Sequence, residues 1–269
     1  MSYRKFSIKN GKSQVKNLAE ESTKIFMNNP GGLGMSQTVS VTQFGDRLKS
    51  DPTLQFPTIS GEMIFWDSAN SNRYKDYNDF IEFLSYTPLT FSYTIPKASP
   101  ETYTIDVEVT SVSKSQTGTD GLLKCNFEFT ALSRWKGTPV TLTGSSSSYT
   151  LVNNGQMPVG FEITLTGTSM ENPYFTLEQN SEVYGEAKFL DTFSKVVVNS
   201  NDGEQNVELE QGGSVLPNPL SYQDLSISNG SIYVTFVKIA RGTSTLTIGV
   251  DSGSLTSAAI SFTPIYRSV

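Results

Sequence analysis

The 269-residue chain contains no histidine, one cysteine and two tryptophans, and charged residues make up only 17% of it. Without histidine neither a Ser-His-Asp nor a Cys-His arrangement can exist, and the common zinc sites are excluded with them. The lone Cys125 rules out a disulfide within the chain. Its place on the apolar parity of a strand reads as a small buried hydrophobe rather than a reactive thiol. No apolar run approaches the ~20 residues needed to span a bilayer. No Lys/Arg-rich stripe is present, which argues against gripping nucleic acid through its phosphates. The start, Met1-Ser-Tyr-Arg-Lys-Phe6, has charges with no apolar segment behind them, so no secretory signal is expected and synthesis is cytoplasmic.

Carboxylate chemistry is what these absences leave. Pairs such as Glu62 with Asp67, or Glu204 with Glu208, are available, but any chain with 26 acids offers them, and solvated strand charges explain them more simply. The oxygen-rich stretch Asn199-Ser-Asn201-Asp202-Gly203-Glu204 lacks calcium-loop spacing and reads as a hairpin turn. Gly11-Lys12-Ser13 echoes the end of a phosphate-binding loop, yet Phe6 stands where that loop needs glycine. No residue is therefore assigned a catalytic, cofactor-binding or metal-binding role, and no cofactor is expected.

What is present is a β pattern. In Tyr103-Thr-Ile105-Asp-Val107-Glu-Val109 and Leu123-Lys-Cys125-Asn-Phe127-Glu-Phe129-Thr-Ala131, apolar side chains recur at every second residue. Residues 117–121 supply turn chemistry between the two runs, which read as an antiparallel hairpin closed by Trp135. Phe6-Ser-Ile8 and residues 14–18 flank Asn10-Gly11, predicting an opening hairpin. Residues 37–66 read as a long arm, in which strands around Val39 and Val41 and around Ile59, Met63 and Phe65 are joined by a broad polar connection over 46–57. One helix is predicted over residues 75–85, where Tyr77, Phe80, Ile81 and Leu84 share a face, with Asp76 and Asp79 in its first turn.

A run from Lys136 to Ser148, rich in Gly, Ser, Thr and Pro, marks a seam, so two domains are expected, 1–138 and 139–269. Charge divides there too: residues 1–140 hold 15 Lys/Arg and 14 Asp/Glu, whereas 141–269 hold 5 and 12. The second half is short strands at 161–165, 174–177, 195–198, 207–209, 232–237, 246–250 and 259–263, which fits a β-sandwich of jelly-roll type. The fold class is mainly β: a sandwich- or barrel-like first domain with one helix and a hairpin arm, then a second sandwich.

The first half contains Pro30-Gly-Gly, Ile59-Ser-Gly61-Glu-Met-Ile-Phe65, Tyr74-Lys-Asp-Tyr77-Asn-Asp-Phe80-Ile-Glu-Phe-Leu84, Pro88-Leu89-Thr-Phe91-Ser-Tyr93 and the run from Lys114 to Trp135. In these segments it resembles a known family, the distal tail proteins of long-tailed phages of Gram-positive hosts. In the second half, Val152-Asn-Asn-Gly155, Gly167-Thr-Ser-Met-Glu-Asn172-Pro173 and the run from Phe236 to Ile248 are similar to that family's galectin-like domain. The resemblance implies a structural virion protein at the tail tip. It implies a hexameric ring between the tail tube protein and the tail-associated lysin or tail fibre, with a hairpin belting each subunit to its neighbour. The second domain would point toward receptor-binding components. One departure stands out: residues 140–269 hold no Trp or His and only Arg241 and Arg267, so a galectin's sugar-stacking set is missing. The alternative reading is a carbohydrate-binding module that uses Tyr149, Tyr174, Tyr184 or Tyr222 as a platform.

Overall fold

The computed structural model describes residues 5–20, 25–44, 47–66, 70–117, 122–217 and 236–269. The chain divides into two compact units, one of Met1–Gly137 with Tyr266–Val269, the other of Thr138–Ile265.

The first unit is built on one antiparallel sheet. Its strands run in the order Val15–Asn17, Lys5–Lys9, Leu89–Ile95, Glu101–Thr117, Leu122–Ala131, Thr58–Phe65, Ile25–Gly31 and Ala19–Glu20. The first and last of these are consecutive in sequence. Between them the Leu18 amide donates to Phe6 O at 2.8 Å, and Leu18 O accepts from the Met27 amide at 2.7 Å, so the sheet closes on itself as a barrel. Alternation decides what fills it: Ile105, Val107, Leu123, Cys125, Phe127 and Phe129 point inward with Ile59, Met63, Phe65 and Phe91.

The helix, Asn70–Leu84, packs Phe80, Phe83 and Leu84 into this core, and Phe65 meets both Tyr77 (5.7 Å) and Phe80 (5.9 Å) edge to face. It begins five residues earlier than its apolar period suggested. Asp76 and Asp79 are accordingly mid-helix, and Asp79 pairs with Lys75 at 2.7 Å, one turn away. The helix end is received by the opening hairpin. Lys9 faces Val15, so the loop spans residues 10–14 rather than the two residues expected. Buried Asn10 donates to Phe83 O (3.2 Å) while its Oδ1 accepts from the amides of Lys12 and Gln14, and the Gly11 amide donates to Tyr86 O at 2.7 Å. A carbonyl of the helix's last turn, Phe83 O, and the Tyr86 carbonyl just beyond the helix thus find donors.

Two corrections concern the seam. Residues 140–144 are no linker: Val140–Gly144 pairs along its whole length with Ser252–Phe262. The last four residues, assigned above to the second domain, belong to the first unit, where Tyr266 meets Tyr103 edge to face at 4.9 Å and the Val269 amide donates to Leu33 O.

The second unit packs two antiparallel sheets on one core. The six-stranded sheet runs Val140–Gly144, Ser252–Phe262, Phe161–Glu171, Thr192–Asn199, Asn206–Gln211, Ser214–Val215, and the four-stranded sheet Ser148–Asn153, Gly242–Gly249, Tyr174–Gln179, Glu182–Lys188. Phe161, Ile163, Val196 and Ile260 of the first meet Leu151, Phe175, Leu177 and Leu246 of the second, and the Phe161 and Phe175 rings lie 5.9 Å apart. The strand expected at 232–237 and the turn at 117–121 fall largely outside the described residues.

Candidate assembly surface

The strands Ser36–Phe44 and Arg47–Gln55 form a two-stranded sheet of their own, in register from Ser36 opposite Gln55 to Phe44 opposite Arg47. Residues directly opposite share a face. Val39 faces Pro52, Val41 faces Ser50 and Gln37 faces Leu54, while the other face carries Thr38 with Thr53, Ser40 with Asp51 and Thr42 with Lys49. The hairpin is therefore amphipathic, and its apolar side is bare: Val39 is 48% and Val41 58% exposed. Both long edges of this ribbon are unpaired among the described residues, which is where Pro52, lacking a ladder donor, is tolerated. A free two-stranded ribbon is marginal in water.

The arm is held at its root. Arg134 donates to Gln55 O (2.9 Å) and Leu54 O (3.3 Å), its guanidinium lies 4.6 Å from the centre of the Phe56 ring, and the Ala131 amide donates to Pro57 O. Entry to the arm depends on Gly32, whose φ is +83° and where a Cβ would meet Thr58 O at 2.0 Å. Met35, Phe56 and Leu132 stand exposed near this root.

This differs from the arm expected over 37–66. The stretch taken as a connection is itself the return strand, and Ile59, Met63 and Phe65 are fully buried in a barrel strand, between Leu122–Ala131 and Ile25–Gly31. An arm with half of its apolar residues in the body is thus replaced by a shorter one, residues 36–55, that buries little of its own.

The groups weighed for chemistry are separated. Cys125 is buried, and burial pushes its thiol up to about 12. Glu62 sits 3.5 Å from Lys124, and Asp67 lies outside the described residues. Glu208 pairs with Lys195 at 3.1 Å; in the 199–204 turn, Asp202 pairs with Lys238 at 2.7 Å. Among the described residues no three acidic or cysteine side chains gather, and no helix is long and apolar enough to cross a membrane. Lys12 of the Gly11-Lys12-Ser13 stretch lies over the Tyr86 ring at 3.2 Å. Of the four tyrosines, Tyr222 lies outside the described residues and the Tyr149 hydroxyl is buried. The Tyr184 hydroxyl is engaged, donating to Ser244 Oγ and accepting from the Ala240 amide.

Residues 5–132 match the family of distal tail protein N-terminal domains. The first unit carries a distal tail protein N-terminal domain. The matched span covers the barrel, the helix and the arm of the first unit, and stops just before Arg134 and Trp135. Solved structures extend the likeness of fold to the whole chain. The distal tail protein of phage SPP1, described as a paradigm of the hub adsorption apparatus in phages infecting Gram-positive bacteria, aligns with a TM-score of 0.66 at 14% identity, over 96% of this chain and 98% of that one. A chain of the phage P2 baseplate in its activated conformation, with calcium or with strontium, aligns with a TM-score of 0.56 at 13% identity over 100% of both chains. No curated protein matches the chain.

Proposed function

We propose that this protein is a structural component of the phage virion, a hub at the tail tip that assembles as a hexameric ring and has no catalytic step. The carrying observation is the arm, whose face bearing Val39, Val41 and Pro52 has nothing among the described residues to cover it. Seated on a neighbouring subunit in a closed head-to-tail ring, that face and the unpaired edges are covered six times over. The ring joins the tail tube protein on one side to the tail-associated lysin or tail fibre on the other. The second unit, read as a galectin-like sandwich, faces receptor-binding components. The arm tests this directly. Ser36 and Gln55 face each other, so they can be rejoined through Asn-Gly, a two-residue turn that spans a facing pair. The trimmed chain should melt like the intact one but fail to form rings by native mass measurement or to enter tails. Rings of normal stoichiometry from the trimmed chain would overturn the proposal.

A further inference from the structure

The fourth tyrosine, Tyr174, is placed unlike Tyr149 and Tyr184. It opens a strand on the outer face of the four-stranded sheet, directly between Lys188 and Gly249 on the neighbouring strands. A Cβ at Gly249 would lie 2.3 Å from Tyr174 Cζ and Oη, so glycine there is what lets the ring lie down across the next strand instead of standing off the sheet. A ring laid flat offers a face, and the negative face of an aromatic ring attracts the weakly positive C–H groups of a stacked molecule.

Fixed polar groups surround that face. Lys188 Nζ donates to both oxygens of Asp251 at 3.1 and 2.8 Å, Asn172 Nδ2 donates to Asp251 at 2.9 Å, and Lys188 Nζ stands 5.9 Å from the ring centre. Beside the ring the outward row runs Glu186, Thr176, Thr247, Ser148, each directly opposite the next. The Glu186 carboxylate has no side-chain partner among the described residues. Together Tyr174, Thr176, Glu186, Lys188 and Asp251 border a cleft of about 350 Å³, at the lower end of the ~300–1,000 Å³ of small-ligand sites.

We propose that this cleft is a saccharide subsite, in which Tyr174 stacks one sugar ring of a neutral polysaccharide. Glu186 and the Lys188–Asp251 pair take its hydroxyls, and the row through Thr176, Thr247 and Ser148 receives the adjoining residues. The fit is chemical: a flat C–H face flanked by hydroxyl donors and acceptors matches a pyranose on an aromatic ring flanked by carboxylates and an ammonium group. Charge selects the class. Two carboxylates line the cleft, and residues 141–269 carry 12 acidic against 5 basic side chains, so polyphosphate chains are repelled. This assignment stands apart from ring assembly, because every residue in it lies in the second unit.

The test is saturation-transfer NMR with titration on the full chain. The probes are the tetrasaccharides of glucose, galactose and N-acetylglucosamine, with poly(glycerol phosphate) as the anionic comparison. At least one neutral tetrasaccharide should bind saturably. Tyr174→Ala should weaken it about five- to tenfold, Glu186→Gln should weaken it less, and Tyr174→Phe, which keeps the ring, should bind within about twofold of the natural chain. Unchanged melting of the Ala and Gln variants checks that the sandwich is intact. The arm-trimmed chain should bind equally, which separates this proposal from the one about the ring. No binding of any neutral probe, binding that survives Tyr174→Ala, or binding of poly(glycerol phosphate) alone would each overturn it.

Discussion

Placing charge on one face of the arm should separate folding from assembly. Val39→Glu with Val41→Glu alters the apolar face, and Ser40→Glu with Thr42→Glu puts the same two charges on the opposite face of the same strand. Fully burying a valine is worth roughly 1.5–3 kcal/mol, and each of these valines has about half its surface still exposed, so covering both on a neighbour contributes about 2–3 kcal/mol per interface. That alone is about a 30- to 150-fold change in affinity. Glutamates there add the cost of desolvating two unpaired carboxylates, several kcal/mol more. The isolated subunit has little at stake, because those side chains are not part of its core. Its melting point should move by no more than about 2–4 °C, the shift that ~1 kcal/mol produces in a chain of this size. Sedimentation or native mass measurement across a concentration series reads assembly, and circular dichroism reads folding. The apolar-face variant should remain a folded monomer where the polar-face variant still associates. Equal association of the two, or equal loss in both, would refute the assignment of that face as the interface.

Arg134→Ala removes the hydrogen bonds to Leu54 O and Gln55 O and the contact with Phe56. Amide exchange at residues 53–56 should quicken by about tenfold or more while the melting of the body changes little. Gly32→Ala forces a Cβ into Thr58 O at a positive φ, so it should destabilise the first unit by at least ~2 kcal/mol, seen as a lower melting transition. Cys125 should resist thiol reagents until the barrel unfolds. Its acid group has a raised folded pKa, so between the model-peptide value and about 12 the folded chain keeps a proton that the unfolded chain releases. Its contribution to stability is therefore intact below that window and falls as pH rises through it, by up to ~1.4 kcal/mol per pH unit, measured as the difference in slope between the natural chain and Cys125→Ala. A difference that grew with pH would contradict a buried neutral thiol.

The barrel was legible where one face of a strand is dry and the other wet. The alternation in 103–109 and 123–131 reports that asymmetry, and Ile105, Val107, Cys125 and Phe127 are buried as their parity demands. The arm was harder to read because alternation states that one face is apolar, not what covers it. Val39 and Val41 alternate just as Ile59 and Met63 do, yet the first pair lies bare and the second is sealed in the barrel. Polarity and Pro52 disguised Arg47–Gln55 as a loop. A ribbon with no buried side of its own needs no dense apolar set, and a free edge tolerates proline. Val140–Gly144 was hidden for a related reason, since none of its five side chains is fully buried.

The helix start and the tyrosine cleft mark a different limit. Asn70 to Arg73 carry no apolar period to announce a helix, so the pattern over 75–85 located the face but not the end. At Tyr174 the sequence offered an aromatic residue among acids and threonines, which ordinary sheet surface explains equally well. What distinguishes it is cross-strand register. Gly249 and Lys188 lie 75 and 14 residues away in sequence, and only their direct pairing with Tyr174 lays the ring flat and brings Asp251 to the lysine. A register slip of one residue would put Tyr174 opposite Ile248 or Val250, whose side chains would leave the ring no room to lie down. A recognition surface on a sheet is thus fixed by pairings that periodicity within one strand does not record, and glycine opposite an aromatic residue is the trace such a surface leaves in the sequence.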